Sequence, residues 1–133
     1  KGRELMTCKG HCLCRAVSFE MSGPHNWIGH CHCDSCRRGA GTALVTFIAH
    51  PNGQWRWTGA DPTAFASSPG QTRYFCARCG SSVAYISDQY PDEIHFHAAL
   101  LADPAAVKPR HVFHADERLP WMPPDMPGCK ISD

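Results

Sequence analysis

Nine cysteines are the residues of this sequence best suited to chemistry, and seven of them fall into three short groups. The groups have the spacings Cys-x-Cys, Cys-x-Cys-x-x-Cys and Cys-x-x-Cys, and they consist of Cys12, Cys14, Cys31, Cys33, Cys36, Cys76 and Cys79. Thiolates at such spacings converge on a metal ion. Cys8 and Cys129 stand apart from the groups and are predicted to be ordinary free thiols. The spacing therefore indicates metal binding.

Four of the grouped cysteines are expected to form a closed site, called here the four-cysteine cluster. Residues i and i+2 of an extended strand point to the same face, so Cys12 and Cys14 can present two sulfurs to one ion. A Cys-x-x-Cys turn brings Cys76 and Cys79 together in the same way, and Gly80 can take the left-handed conformation that this turn uses. Joining the two pairs gives four thiolates around one zinc ion, which is a structural site with no open position.

The remaining group, Cys31, Cys33 and Cys36, is called here the three-cysteine cluster. Zinc takes four ligands, so a three-ligand site leaves one position for water or substrate, and this arrangement is typical of catalytic zinc. Three thiolates on a dication leave one net negative charge, which would oppose the binding of a substrate thiolate. Arg37 and Arg38 directly follow the cluster and are predicted to offset that charge and to bind substrate. The alternative is that both arginines are simply solvated.

Several polar residues lie beside these groups. His30 and His32 flank Cys31 and are candidates for a fourth ligand or a proton carrier, although histidines beside metal cysteines are often bystanders. Asp34 is interpreted as a helix cap, a hydrogen-bond acceptor that orients a metal-ligating residue, or both. His95 and His97 alternate on a predicted strand, so they share one face, and a structural role is expected for them.

Length and charge restrict the possible function classes. The chain has 133 residues and is predicted to form a single domain over residues 1–133. Lys and Arg number 13 against 12 for Asp and Glu, with no run of like charge, so neither nucleic acid nor a membrane is an expected partner. No apolar run approaches the length of a membrane span. Residues 1–5, "KGREL", are interpreted as an upstream leader or a remnant of cloning.

A disulfide framework is the alternative use of the cysteines. An odd count and the lack of an apolar signal segment in "KGRELMTCKG" argue against it, whereas a reducing cytosol keeps thiols free for metal. The cytoplasm is therefore the expected compartment. Cys76 and Cys79 could also form a redox dithiol, but the βαβ context typical of that motif is missing.

The elements that must position the cysteines are predicted to be short strands. "CRAVSFEM" places Val17, Phe19 and Met21 on one face, and further strand-like runs are "TALVTFIA", "TRYF", "SVAYI" and "EIHFH". Segments rich in Gly, Pro, Asn and Asp separate these runs, which favours antiparallel strands joined by turns. The class is therefore mainly β, with small sheets that metal would join.

Two other segments do not follow the strand pattern. "DSCRRG" is predicted to form a helical turn, with Asp34 as its cap and Gly39 at its end. From about Ala102 the chain is rich in proline and is predicted to wrap irregularly over the sheets. Aromatic residues are expected in the core or in the wall of a pocket, with Trp121 the candidate for a pocket wall; they are Trp55, Trp57, Phe96, Phe113 and Trp121.

Three of these stretches resemble the glutathione-dependent formaldehyde-activating enzymes, a family of the β-tent superfamily of zinc domains. "GHCLCRAVSFE" is similar to the opening Gly-x-Cys-x-Cys-x-x-Val strand of the family, and "HCHCDSCRRGAG" is similar to its Cys-x-Cys-x-x-Cys-Arg segment. "SSPGQTRYFCARCGSSVAY" resembles its Arg-x-Phe-Cys-x-x-Cys-Gly stretch, and "LLADPAAVKPRHVFHADERLPW" resembles the region downstream. The resemblance covers nearly the whole chain.

The resemblance implies a β-tent fold of small antiparallel sheets joined by a structural zinc site. It implies two zinc ions per chain, a structural one on the four-cysteine cluster and a catalytic one on the three-cysteine cluster. It further implies a carbon–sulfur lyase or synthase that acts on adducts of glutathione and an aldehyde, of the S-hydroxymethylglutathione type. The alternative is a non-catalytic zinc module that binds another protein through its strands, but such a module has no use for a three-thiolate site with an open position.

Overall fold

The computed structural model describes residues 7–123 and 128–132, and within these ranges it contains eleven strands and one α-helix. The strands are β1 (Thr7–His11), β2 (Ser18–Ser22), β3 (Trp27–Cys31), β4 (Val45–Pro51), β5 (Trp55–Trp57), β6 (Thr63–Ser68), β7 (Gln71–Phe75), β8 (Ser82–Ser87), β9 (Glu93–His97), β10 (His111–Phe113) and β11 (Lys130–Ser132). The helix is α1 (Asp34–Ala40), and short 3₁₀ turns span Ala98–Leu100, Pro104–Ala106 and Ala115–Glu117. The mainly β class is confirmed. The prediction for residues 1–5 lies outside the described residues.

The strands form two sheets. The smaller sheet has the order β1-β2-β5, and the larger has the order β11-β10-β3-β4-β9-β8-β7-β6. Neighbouring strands are antiparallel, except that β10 runs parallel to both β3 and β11. The prediction of a wholly irregular wrap after Ala102 is therefore wrong for β10 and β11. The strand β10 pairs with β3, β11 pairs with β10, and Val112 on β10 is buried.

The main apolar core connects the smaller sheet to the larger one. Phe19 and Met21 on β2 are buried, as their alternation predicts, and the ring of Phe19 stacks on that of Phe96 with centroids 4.1 Å apart. A Cβ atom on Gly10 would lie 2.3 Å from the Phe19 ring, so only glycine permits this approach. Burying each large side chain contributes about 1.5–3 kcal/mol. The core thus fixes the positions of the turns that carry the cysteines.

The helix α1 presents part of the three-cysteine cluster. Cys33, and not the predicted Asp34, is its N-cap: the Cys33 Sγ accepts a hydrogen bond from the backbone N–H of Cys36 at 3.3 Å. The helix ends at Gly41 with φ of 71°, rather than at the predicted Gly39. Gly39 lies inside the helix, where a Cβ atom would come within 3.2 Å of the Arg73 side chain. Seven residues are too few for an isolated helix, so its caps and packing must hold it.

Candidate metal centres and pocket

The four-cysteine cluster forms where two turns meet, one from each sheet. Cys12 and Cys14 lie in the turn between β1 and β2, not on an extended strand as predicted, and Arg15 in this turn has a positive φ of 71°. Cys76 and Cys79 lie in the turn between β7 and β8. All four sulfurs are within 4.8 Å of one another. The cluster therefore connects the smaller sheet to the larger one.

Hydrogen-bond donors contact three of these four sulfurs, those of Cys12, Cys76 and Cys79. Backbone N–H groups of Val17 and Cys79 donate to the sulfurs of Cys12 and Cys76 at 3.3 and 3.4 Å. The Ser81 hydroxyl lies 3.2 Å from the Cys79 sulfur, and this contact is the main cause that lowers the pKa of Cys79 to about 5. Four convergent thiolates with such donors fit a tetrahedral divalent metal such as zinc.

The three-cysteine cluster lies at the junction of β3 and α1. Cys31 is the last residue of β3, Cys33 caps α1 and Cys36 is inside the helix, and their three sulfurs are within 4.8 Å of one another. Hydrogen bonds with Cys31 and Cys36 lower the pKa of Cys33, and hydrogen bonds with Cys33 and Cys36, together with burial, raise the pKa of Cys31. One negative charge is thus readily held by the three thiols alone. Full ionisation needs a cation, and the three sulfurs fit a zinc site.

Arg73 on β7 is the cation that contacts this cluster, and sequence reasoning missed it. Its two terminal nitrogens each lie 3.8 Å from the Cys36 sulfur, and one of them donates to the Ser35 hydroxyl at 3.3 Å. The guanidinium also lies over the Tyr85 ring, 4.8 Å from its centroid. Residues 36 and 73 are far apart in the chain, so no local spacing signals the contact. The only signal was the place of Arg73 inside the family motif.

The structure places the two predicted arginines elsewhere. Arg37 donates from Nε to the backbone carbonyl of His32 at 3.0 Å, which ties the helix to the preceding loop. Arg38 has a side chain 77% exposed and forms a 2.9 Å ion pair with Asp34. Neither forms a hydrogen bond with a cysteine sulfur among the described residues. Substrate binding by these arginines therefore stays a prediction.

A pocket of about 360 Å³ opens on the three-cysteine cluster. All three cysteines line it, together with five aromatic side chains and several polar ones. The aromatic residues are Trp27, Phe47, Tyr85, Tyr90 and Phe113, and the polar residues are Ser35, Gln71, Gln89, His95 and His114. An apolar concave wall with a few convergent polar groups is the usual form of a small-molecule site. The three sulfurs therefore face a space in which a ligand could bind.

The candidate histidines differ in their relation to this pocket. His30 is hydrogen-bonded to Thr46 at 2.8 Å, and burial lowers its pKa. His32 is 1% exposed, and its Nδ1 has no partner within the described residues. Neither lies among the pocket-lining residues, whereas His95 does. His97 is packed against Phe47, and burial lowers its pKa to about 4.

The remaining candidates also have definite positions. Trp121 is 72% exposed and does not line the pocket of the three-cysteine cluster, so its predicted role in a pocket wall stays a prediction. Phe113 lines that pocket. Trp55 and Trp57 pack edge-on against Phe96 in the main core. All nine cysteines are free thiols, including Cys8 and Cys129 outside the clusters.

The scaffold is mainly β, and it brings four sulfurs together at a junction of two sheets and three more at a pocket. These features define a class of small thiolate-rich proteins with two candidate metal centres. The family model of the glutathione-dependent formaldehyde-activating enzymes matches residues 7–117, and the chain belongs to this family. The matched range includes both clusters and every residue that lines the pocket.

Two individual proteins extend this comparison. The chain is 28% identical over 135 aligned residues to a Halomonas elongata protein, across 88% of this chain and 80% of that protein. The name of that protein assigns it, provisionally, as a glutathione-dependent formaldehyde-activating enzyme. A crystal structure of a Rhodobacter sphaeroides protein matches with a TM-score of 0.61 at 24% identity, over 76% of this chain and 91% of that one. The latter likeness concerns the fold alone.

Across the part of the chain described here, no helix is long and apolar enough to cross a membrane.

Proposed function

We propose that the protein catalyses the reversible joining of a small thiol, glutathione, to an aldehyde such as formaldehyde. The reaction makes and breaks a carbon–sulfur bond, so the enzyme is a carbon–sulfur lyase or synthase. The observation that carries this proposal is the three-cysteine cluster, whose sulfurs line a pocket of ligand size. Family membership supports the thiol and aldehyde as reactants. Free thiols in such number suit a reducing compartment, so the proposal includes a cytoplasmic location.

The proposal assigns two zinc ions to the chain. Cys12, Cys14, Cys76 and Cys79 would hold a structural ion, and the three-cysteine cluster would hold a catalytic one. Zinc at an open three-ligand site lowers the pKa of a thiol or water that takes the fourth position. The geometry of the two clusters supports this division, because one has four convergent sulfurs and the other has three beside a pocket.

The side chains around the three-cysteine cluster would bind and orient the reactants. Arg73, in contact with Cys36, offsets negative charge where a second anion must approach. The aromatic wall formed by Trp27, Phe47 and Phe113 excludes water and packs against the apolar parts of the adduct. Holding the thiol and the carbonyl together in one pocket replaces a bimolecular encounter by a proximity-assisted step.

Metal content and exchange kinetics together test the proposal. Freshly purified protein should contain up to two zinc ions per chain, with the thiol count reduced accordingly. Exchange NMR on a mixture of glutathione and formaldehyde should show that zinc-replete protein speeds adduct interconversion beyond the spontaneous rate. No acceleration across several thiols and aldehydes would overturn the proposal, and a non-catalytic zinc module that binds another protein would then be the better interpretation.

A further inference from the structure

A buried histidine in the wall of the pocket is oriented by a carboxylate. His95 on β9 is 4% exposed, and its Nε2 lies 2.7 Å from Oε2 of Glu93 on the same face of the strand. The second carboxylate oxygen of Glu93 accepts a hydrogen bond from the side-chain amide of Asn26 at 2.7 Å. The three side chains thus form a hydrogen-bonded series that ends at the imidazole.

Aromatic rings fix the plane of this imidazole. Trp27 contacts the His95 ring edge-on with centroids 4.8 Å apart, and the rings of Phe47, Tyr85 and Tyr90 lie between 5.6 and 5.8 Å away. All four of these aromatic residues line the same pocket as the three-cysteine cluster. A side chain confined in this way cannot turn its nitrogens freely, so the carboxylate decides which nitrogen carries the proton.

The contact with Glu93 determines the tautomer. A carboxylate can only accept, so the Nε2 of His95 must carry the proton in the 2.7 Å hydrogen bond. The neutral imidazole then has its lone pair on Nδ1, which has no hydrogen-bond partner among the described residues. His95 is among the residues that line the pocket of the three-cysteine cluster, so the neutral imidazole that holds this lone pair is part of the pocket wall. The same division of roles, with one nitrogen held by a carboxylate and the other acting on the substrate, is that of a general base.

We propose that His95 is the proton carrier of this pocket and that Glu93, held by Asn26, is its positioning residue. The inference rests on the proposed function, since it deepens the same reaction at the same site. It also differs from the sequence-based predictions, which make His30 or His32 the proton carrier and give His95 a structural role. Neither His30 nor His32 lies in the pocket wall, whereas His95 does.

The proposed step balances in protons and electrons. In the forward direction the thiol gives its proton to Nδ1 of His95, its sulfur forms a bond to the carbonyl carbon, and the π bond of the carbonyl breaks. The imidazolium then returns the same proton to the carbonyl oxygen, which becomes the hydroxyl of the hemithioacetal. Glu93 stabilises the imidazolium between the two transfers. No oxidant, reductant or further reactant is required.

Electrostatics around His95 support its role as a base. Burial lowers its pKa below the usual histidine value, while the Glu93 carboxylate opposes that effect, so the net shift favours the neutral ring that can accept a proton. The titratable groups that face it are Glu93 on its own strand, Tyr85 on β8 and Tyr90 in the following turn, with His114 and the three cysteines elsewhere in the pocket wall. The base form is lost as the pH falls through the pKa of His95, so the rate should decline on the acid side.

The test compares three variants in the glutathione and formaldehyde exchange assay. His95→Gln should lower the enzyme-dependent rate by about 100-fold or more, which is the usual contribution of general acid–base catalysis. Glu93→Gln removes the charge that raises the pKa of His95, so its acid limb should move to lower pH. His50→Gln is the matched control: His50 is also buried, and its Nε2 bonds the Ser22 carbonyl outside the pocket, a contact that glutamine can keep. The control should keep the wild-type rate.

The outcomes separate this inference from the proposed function. Failure of wild-type protein to accelerate exchange would overturn both. An active wild type with an equally active, folded His95→Gln variant would overturn only the role of His95. If that variant does not fold, an acid limb that Glu93→Gln leaves unmoved would overturn the inference instead. Nitrogen-15 NMR adds a readout that needs no activity: at pH 7 the His95 ring should be protonated at Nε2, and a ring protonated at Nδ1 would contradict it.

Discussion

The two cysteine clusters share one local turn and differ in what completes it. In each, the backbone N–H of the last cysteine of a Cys-x-x-Cys unit donates to the sulfur of the first, at 3.3 Å between Cys36 and Cys33 and at 3.4 Å between Cys79 and Cys76. The four-cysteine cluster gains two more sulfurs from a distant turn. The three-cysteine cluster gains only Cys31, from the adjoining strand. The number of added sulfurs decides whether a position stays open.

The side chains and backbone groups around the two clusters also differ. Beside the four-cysteine cluster lie backbone amides and the Ser81 hydroxyl, which contact three of its four sulfurs. Beside the three-cysteine cluster lie Arg73 and the pocket with its aromatic wall. One cluster joins two sheets and the other lies within a single stretch of chain. The loss of the first should therefore damage the fold, and the loss of the second should damage the chemistry.

Cys76→Ser should have the largest effect on stability. The sulfur is buried at the junction of the sheets, and its loss removes one ligand from a site whose metal affinity contributes directly to folding. We expect release of one zinc ion and a fall of several kcal/mol in the free energy of unfolding, measured by metal analysis and denaturant titration. Cys129→Ser, outside both clusters, is the control and should keep metal and stability. A Cys76→Ser protein that keeps its metal and melting temperature would contradict the structural role.

Cys33→Ser should remove activity while sparing the fold. Serine is a good N-cap, so it can replace the bond from Cys33 to the N–H of Cys36 with a loss of about 1 kcal/mol or less. We expect loss of the metal of the three-cysteine cluster and of the enzyme-dependent exchange, with the other zinc retained. In the wild type a chelator should empty this cluster first. A variant that unfolds as readily as Cys76→Ser would contradict the division into one structural and one catalytic cluster.

Features set by neighbouring residues could be predicted from the sequence. The alternation of Phe19 and Met21 predicts a strand with one buried face, and the structure confirms it. The sulfurs also come together in the groups that their spacing indicates, because each unit lies within a few residues of chain. The family resemblance is likewise confirmed, since its motifs are local.

Apart from the convergence of the two cysteine pairs in the four-cysteine cluster, features set by the pairing of distant segments could not be predicted. The contact between Arg73 and Cys36 depends on how β7 packs against α1, and the place of His95 in the pocket depends on the pairing of β9 with β4 and β8. The helix cap was misassigned for a different reason: aspartate is a common cap, but here Asp34 pairs with Arg38 and the Cys33 sulfur accepts the N–H instead. The parallel pairing of β10 with β3 leaves no signal in either segment.

Arg73→Gln and Arg38→Gln should have smaller effects than the cysteine substitutions, and Arg73→Gln should have the larger effect of the two. The comparison separates the arginine that contacts the sulfurs from the one that only follows them in sequence. Arg73 contacts the Cys36 sulfur at 3.8 Å beside the pocket, whereas Arg38 is exposed and paired with Asp34. A hydrogen bond that involves a charged group contributes about 1.5–3 kcal/mol, so Arg73→Gln should weaken glutathione binding about tenfold or more. Arg38→Gln should change it little, and any change should vanish at high salt because exposed charges are screened. Titration of glutathione binding at low and high ionic strength measures both effects. Equal losses in the two variants, or a larger loss for Arg38→Gln, would restore the role in substrate binding that the sequence predicts for the arginines after Cys36.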